Sequence, residues 1–490
     1  MLRQLRADSK GTGSIVTGRK LLGILTGLGA LAAGLAPLQA GADTLMDGLR
    51  SAYRTNPTLQ AERDDLKAQN EEYVQARAAL GPTVDASVGT TDASSLVQEK
   101  TIIDTTYKVH FDHISSSTSE LSLSQVLYSS GHITAQINAA QADILSSRQQ
   151  LRLTEATVLF EVIQAHEDVR RDLEIVNISR QSVKQLQDEV DAIQQKYDAG
   201  AANTTDLSQV KARLAAAQVQ LTNAESQLED SRGAFLQVVG LSPGTLDEPN
   251  LPSTGRTLAE SITAAEKNSP ELLAAVYTEK ADRARLQAAK AQRGPTVTAD
   301  ARVERDPQDL YNPLFQQSSS VGVTVRWHLF SSGLTSSAIR QAEDADKEAK
   351  DKIDAANRSV RYNIKQYWDQ FSAANSSRSL MEDQVKQEKL AFDSSQQQYT
   401  AGLISTIDLL NAQQETQTAE VSLARAAHDQ YVAQAELLRE MGVLEASLLL
   451  PGEPDRDAVK PADPLVLAAM SPWFQIVQTL DGLGQPDTKP

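Results

Sequence analysis

"KYDAGAANTTDLS", residues 196–208, returns 202 positions later as "QYTAGLISTIDLL", residues 398–410. Each phrase holds a tyrosine, a glycine three residues on, and an Asp-Leu pair beginning six residues after the glycine. The same register links "LYSSG" at 127–131 to "LFSSG" at 329–333. Further upstream, residues 44–84 align without a gap on 257–297 at an offset of 213, sharing a Thr-Leu start, Pro57/Pro270, Leu59/Leu272, Lys67/Lys280 and a closing Gly-Pro-Thr-Val. The chain is therefore written twice, and its fold must be read as two copies of one unit. The change of offset means that eleven residues are missing from the second copy between Gly-Pro-Thr-Val and Ser-Ser-Gly. Such a difference is expected in a surface loop.

Working outward from the two phrases, 69 residues separate Gly131 from Gly200, and 69 again separate Gly333 from Gly402. As helix, each interval spans roughly 100 Å at ~1.5 Å per residue. Val176, Val183, Val190 and Tyr197 repeat every seven residues with Leu186 and Ile193 between them, and Val385, Phe392 and Tyr399 repeat likewise. Heptads of this kind predict coiled-coil contact. Val210, Leu214, Ala217, Leu221, Ala224 and Leu228 give the return helix an apolar stripe whose alanines allow close approach. Gly200 and Gly402 suit the helix ends, where the chain takes a left-handed turn. Asn203/Thr204 and Ser405/Thr406 then offer caps to the returning helices.

Between the helices lie short segments with a period of two. Val321, Val323, Val325, Trp327 and Leu329 alternate with Gly322, Thr324, Arg326 and His328. Val84, Ala86 and Val88 alternate with polar residues, as do Val297, Ala299, Ala301 and Val303, and Tyr107, Val109 and Phe111. One apolar face per strand and only four strands present a problem, because a closed barrel needs about eight. The strands must be pooled with those of other copies, and two copies or three would satisfy the count.

Composition narrows the class of function. Aromatic residues make up 4% of the 490, there is no cysteine, and the formal charge is −17. The acidic balance argues against a nucleic-acid partner, and the missing cysteine excludes disulfides, thiolate metal sites and a lipid-modified cysteine. Residues 1–42 read as an export signal: basic residues through Lys20, the apolar run "LLGILTGLGALAAGLAP", then "AGA" at 40–42. No later apolar run reaches the ~20 residues of a spanning helix, so membrane entry must be made with strands. Histidines at 110, 113, 132, 166, 328 and 428 are scattered, and His110 and His113 fall on opposite strand faces. No hydrolase, zincin or dinucleotide fingerprint is present, and no cofactor or metal is expected. Residues 43–256 and 257–450 are read as the two structural repeats, and the Pro-rich residues 451–490 as an irregular tail.

The duplicated "TL" openings, "GPTV" strand entries, "SSG" strand exits and paired Tyr-Gly-Asp phrases together resemble the TolC family of outer-membrane channels. The resemblance implies a mainly α fold with a small β part. Four strands per protomer would make a twelve-stranded transmembrane β-barrel in a homotrimer, and long antiparallel coiled coils would form an α-barrel across the periplasm. It implies an exit channel of a type I secretion or efflux system, contacting outer-membrane lipid, a periplasmic membrane-fusion adaptor and an inner-membrane ABC or RND-type transporter. A periplasmic coiled-coil scaffold without a pore is the alternative; it would explain the heptads but not the apolar strand faces.

By the same resemblance the two phrases are the periplasmic tips, where helix pairs taper to the pore and meet the adaptor. Asp408 and Asn411 take the places of two stacked acidic rings, the second here an amide. Asp206 holds the place of Asp408 in the first copy with Thr205 beside it at the entrance, Tyr197 and Tyr399 are packing or gating contacts, and Gly200 and Gly402 form the turns. Asp206 and Asp408 would equally serve as helix-start residues favoured by the macrodipole.

Overall fold

Thr44 and Thr257 open the two copies in the same way, each accepting the backbone N–H of an acidic residue three positions on, Asp47 or Glu260. A computed structural model describes residues 44–100, 107–244, 246–248, 251–254, 257–307, 315–453 and 473–482. The first copy runs through α1 (Leu45–Thr55), α2 (Pro57–Ala78), β1 (Pro82–Lys100), β2 (Tyr107–Tyr128), α3 (His132–Asp198) and α4 (Thr204–Val239). The second runs through α5 (Leu258–Asn268), α6 (Pro270–Ala291), β3 (Thr296–Pro307), β4 (Phe315–Arg326), α7 (Leu334–Thr400) and α8 (Thr406–Glu440). Two short helices follow, α9 (Ala446–Leu449) and α10 (Trp473–Gly482). The export segment expected at the N-terminus lies outside the described residues.

Helices α3 and α7 are each 67 residues long and are bracketed by glycines with positive φ: Gly131 and Gly200 around the first, Gly333 and Gly402 around the second. Helix α3 lies between α2 and α6 and also packs on α4 and α8, while α7 packs on α6, α5 and α8. The main core gathers Leu49, Leu59, Leu159, Ile163, Phe235 and Leu438 where the first copy's helices meet α8 and the segment after it. Val360, Ile364, Leu437 and Met441 form a smaller core around α5, α7 and α8.

The four strands form one antiparallel sheet in the order β1-β2-β3-β4. Its register lines up Val84, Leu123, Ala301 and Val321 across all four strands on one face, and Asp85, Ser122, Arg302 and Ser320 on the other. The apolar face is open: Val84, Val88, Leu121, Val321, Val323 and Val325 are all exposed in the protomer. On the polar face Ser124 donates to Asp300 at 2.8 Å, and Arg302 pairs with Glu120 at 2.9 Å. Tyr107, Val109 and Phe111 belong to β2, but their side chains lie outside the described residues.

Three expectations are corrected. The length difference between copies does not fall in a loop alone: β1 and β2 have 19 and 22 residues against 12 and 12 for β3 and β4, because added residues at the hairpin end continue the ladder. Strand β4 stops at Arg326, before Trp327 and Leu329. Instead of continuing the alternation, the Trp327 indole N–H donates to the Arg293 carbonyl at 2.8 Å. The tail is not irregular throughout, since α10 is a helix. A helix of ten residues is not stable alone; it forms because Val477 packs among Leu80, Ile133 and Ile137 and Asp481 caps α3. That cap replaces a local one, for Gly131 has no side chain to offer.

Candidate functional site: the paired helix tips

Each tip is built by the same local chemistry. Gly200 and Gly402 both take φ near +73°, and the turn then closes backbone bonds from Ala201 to Lys196 at 2.7 Å and from Leu403 to Gln398 at 2.9 Å. Such six-to-one bonds terminate a helix around a left-handed residue. The returning helices start on Asn203, whose side chain accepts the Asp206 N–H at 2.8 Å, and on Ser405. At Ser405 the capping box is complete: Asp408 accepts the Ser405 hydroxyl at 2.6 Å and its N–H at 3.2 Å. These two bonds hold the exposed Asp408 carboxyl below its usual pKa. Thr205 is exposed and Asp206 half-buried.

The structure brings the two tips of one protomer together. Leu410 of α8 joins Leu186, Val190, Ile193, Leu207 and Val210 of the first pair in one buried cluster. At its rim the Lys196 ammonium lies 3.4 Å from the Tyr399 hydroxyl and 4.8 Å from that ring's centre. Arg213 donates to the side-chain oxygen of Asn411 at 3.0 Å. The amide expected in a second ring is thus engaged by a cation from the other copy. Tyr197 is more exposed than its heptad place suggests, and Leu403 projects from the second turn. Lys196 and Arg213 were not legible as site residues, because each meets its partner across the repeat boundary and not within its own phrase.

Higher up, a cleft of about 810 Å³ opens between α3, α4 and α8, lined by Arg171, Asp172, Gln220, Gln417, Arg425 and Asp429. A charged joint borders it. His428 on α8 lies 3.0 Å from Asp168 and 2.9 Å from Asp429, while Arg171 binds Asp168 and Asp172 at 2.7 and 2.8 Å. Burial alone would lower the His428 pKa, but its bonds to the two aspartates and the charge of Asp168 outweigh it and the pKa is raised. Burial likewise pushes Asp168 up, and His428 and Arg171 bring it below its usual value. Among the described residues no group of His, Asp or Glu is arranged to hold a metal ion, and no helix is long and apolar enough to cross a membrane.

Comparison with known proteins finds the same duplication. The family model for outer membrane efflux proteins matches residues 48–241 and again 261–443. The chain is 26% identical over 431 residues to the outer membrane efflux protein BepC of Brucella suis, covering 87% of this chain and 89% of that protein. It is 24% identical over 413 residues to the alkaline protease secretion protein AprF of Pseudomonas aeruginosa, covering 82% and 85%. Among solved structures, the Campylobacter jejuni CmeC outer membrane channel superposes with a TM-score of 0.70 at 14% identity, over 81% of this chain and 85% of that one.

Proposed function

This chain belongs to the outer membrane efflux protein family, the TolC family, and is an efflux or secretion channel of the outer membrane that extends into the periplasm; we propose that it works as a closed homotrimer serving as a passive exit duct. One observation carries the closed-ring reading, and the family likeness sets the number of copies at three: the sheet leaves an apolar face open and two edges unpaired among the described residues. Unpaired backbone edges are not tolerated in lipid, and four strands cannot close on themselves. Three copies supply twelve strands, with the valine face toward lipid and the Asp85, Arg302 and Glu120 face toward the lumen. The long helix pairs continue the bore for roughly 100 Å toward the cell interior.

In this reading the tips at 197–207 and 399–410 form the periplasmic entrance and meet a membrane-fusion adaptor, which links the duct to an inner-membrane ABC or RND-type transporter. The chain has no nucleotide-binding motif, so energy must come from that partner. Asp408 recurs three times around the axis and forms the acidic constriction, with Thr205, Asp206 and Asn411 beside it and Tyr197 and Tyr399 packing the tips. Of the two relatives described above, one is named for efflux and the other for alkaline protease secretion, and a passive duct suits either task. Reconstitution into planar bilayers tests the proposal: discrete channels from an SDS-resistant trimer are expected. A water-soluble monomer that inserts no channels would overturn it.

A further inference from the structure

Helix α10 meets the rest of the chain with one face and leaves another open. Val477 packs among Leu80, Ile133 and Ile137, and Asp481, four residues on and so on the same face, holds Ser129 and Thr134. Ile476 and Leu480 share the neighbouring face and are 51% and 44% exposed. Asp481 is the only charged residue of α10, and it is turned inward and buried. The open face therefore offers apolar carbon with no charge to desolvate.

The height of that face is set by the sheet. On the side where the helices begin, the ladder ends at Pro82–Gln125 and Thr296–Arg326. Leu80 lies two residues from this edge and Ser129 four, so α10 docks within about 13 Å of it at ~3.3 Å per residue. Strands β3 and β4 have 12 residues each. Tilted by roughly 40°, such strands rise about 30 Å, the thickness of a hydrocarbon core. The helix-side edge of the sheet is thus the inner boundary of that core, and α10 lies at the level of the headgroups.

The side of the wall is set by α3. Thr134, which Asp481 binds, and Arg152, which Glu445 binds, are five helical turns apart and so point the same way. Asp172 and Ser179, about half a turn round the helix from them, look into the cleft that α4 and α8 also line. Those two helices pack on α3 and touch each other across it, which the neighbours of a helix in a curved wall do on its concave side. Thr134 and α10 therefore stand on the convex, outer side.

We propose that α10 is an interfacial anchor whose Ile476 and Leu480 lie in the phospholipid headgroup layer of the inner leaflet, beside the rim of the barrel. The proposal rests on the closed-barrel reading above and adds a lipid contact outside the strands. A helix lying along this boundary with its apolar face toward the acyl chains is a stable arrangement. The surface is continuous with the lipid-facing side of the sheet, where Val84, two residues inside the ladder's edge, is also exposed. Three anchors around one barrel would fix the depth at which the duct sits.

The chain has no cysteine, so single substitutions can be labelled selectively. Ile476→Cys and Leu480→Cys, which leave the docking residues Val477 and Asp481 untouched, are labelled with the fluorophore NBD. Val321→Cys on the valine face serves as the barrel reference. Each intact channel is reconstituted into vesicles of phosphatidylethanolamine and phosphatidylglycerol. At 476 and 480, phosphatidylcholine with a nitroxide near the headgroup end of its acyl chain is expected to quench about half of the emission, and aqueous iodide little. At 321 a mid-chain nitroxide should quench most. Iodide quenching at 476 and 480, with 321 still quenched from lipid, would put the face in water and overturn the anchor while leaving the barrel. Protection there from both quenchers would mean that protein covers the face, and overturns the anchor equally. Loss of lipid quenching at 321 would overturn barrel and anchor together.

Discussion

Asp481 Oδ1 accepts both the backbone N–H and the hydroxyl of Ser129, each at 2.6 Å, from 352 residues further along the chain. Its second oxygen takes the N–H and hydroxyl of Thr134 at 3.1 and 2.8 Å, so one carboxylate starts the 67-residue α3. Burial would raise its pKa, but the four donors bring it below the usual value. Asp481→Ala leaves those donors buried without an acceptor and is expected to reduce stability by about 2–4 kcal/mol. Asp481→Asn should lose less. Thermal unfolding followed by circular dichroism, with both variants beside the parent, measures the difference.

Arg213 and Asn411 tie the first tip to the second. The pair is exposed, so its worth is about 1 kcal/mol or less, up to roughly a five-fold change in the ratio of joined to separated tips. Arg213→Ala is expected to raise the open probability of single channels in planar bilayers by no more than that factor. An unchanged open probability would show that the link does not restrain the entrance.

Asp408 has two tasks that substitution can separate. As the capping-box residue of α8 it contributes about 1 kcal/mol to the helix start, and in the proposed trimer its ring of three carboxylates would attract multivalent cations. Asp408→Ala should weaken cation block of conductance and slightly lower thermal stability. Ser405→Ala should lower stability alike but keep the block, because the carboxylate remains.

The joint at His428 carries a pH dependence whose sign is fixed by its raised pKa. The folded state holds the proton more tightly than the unfolded chain, so the added stability is complete below the ordinary histidine pKa of about 6.5. It is lost as pH rises through the higher folded value. Asp168 and Arg171 on α3 and Asp429 on α8 are the charges facing the ring. Melting temperature should therefore fall in the parent as pH rises above about 6.5, and His428→Asn should remove most of that slope.

What could be read without coordinates was what repeats or alternates locally. Gly200, Gly402, Asn203 and Ser405 signal their turns and caps within a dozen residues, and the valines of β4 signal their face by alternation. What could not be read depends on elements meeting from afar. Trp473, Ile476, Val477 and Leu480 follow helical spacing, yet the proline-rich surroundings hide it, and only docking beside Leu80 and Ile133 makes α10 persist. The end of β4 was missed because Trp327 continues the alternation while its backbone has already left the ladder. The partners of Tyr399 and Asn411 were missed because duplication points to the matching residue, not the touching one.

The unequal hairpins have a consequence at the cell exterior. By the ladder register Pro307 at the end of β3 lies level with Ser117 and Thr90, and β1 and β2 run about ten residues further, to Lys100 and Tyr107, an overhang of roughly 33 Å. A closed mouth would then be crenellated, tall and low merlons alternating around it. Antibodies or phage fibres approaching an intact bacterium would land on the first copy's battlements, and the second copy's would stand in their shade.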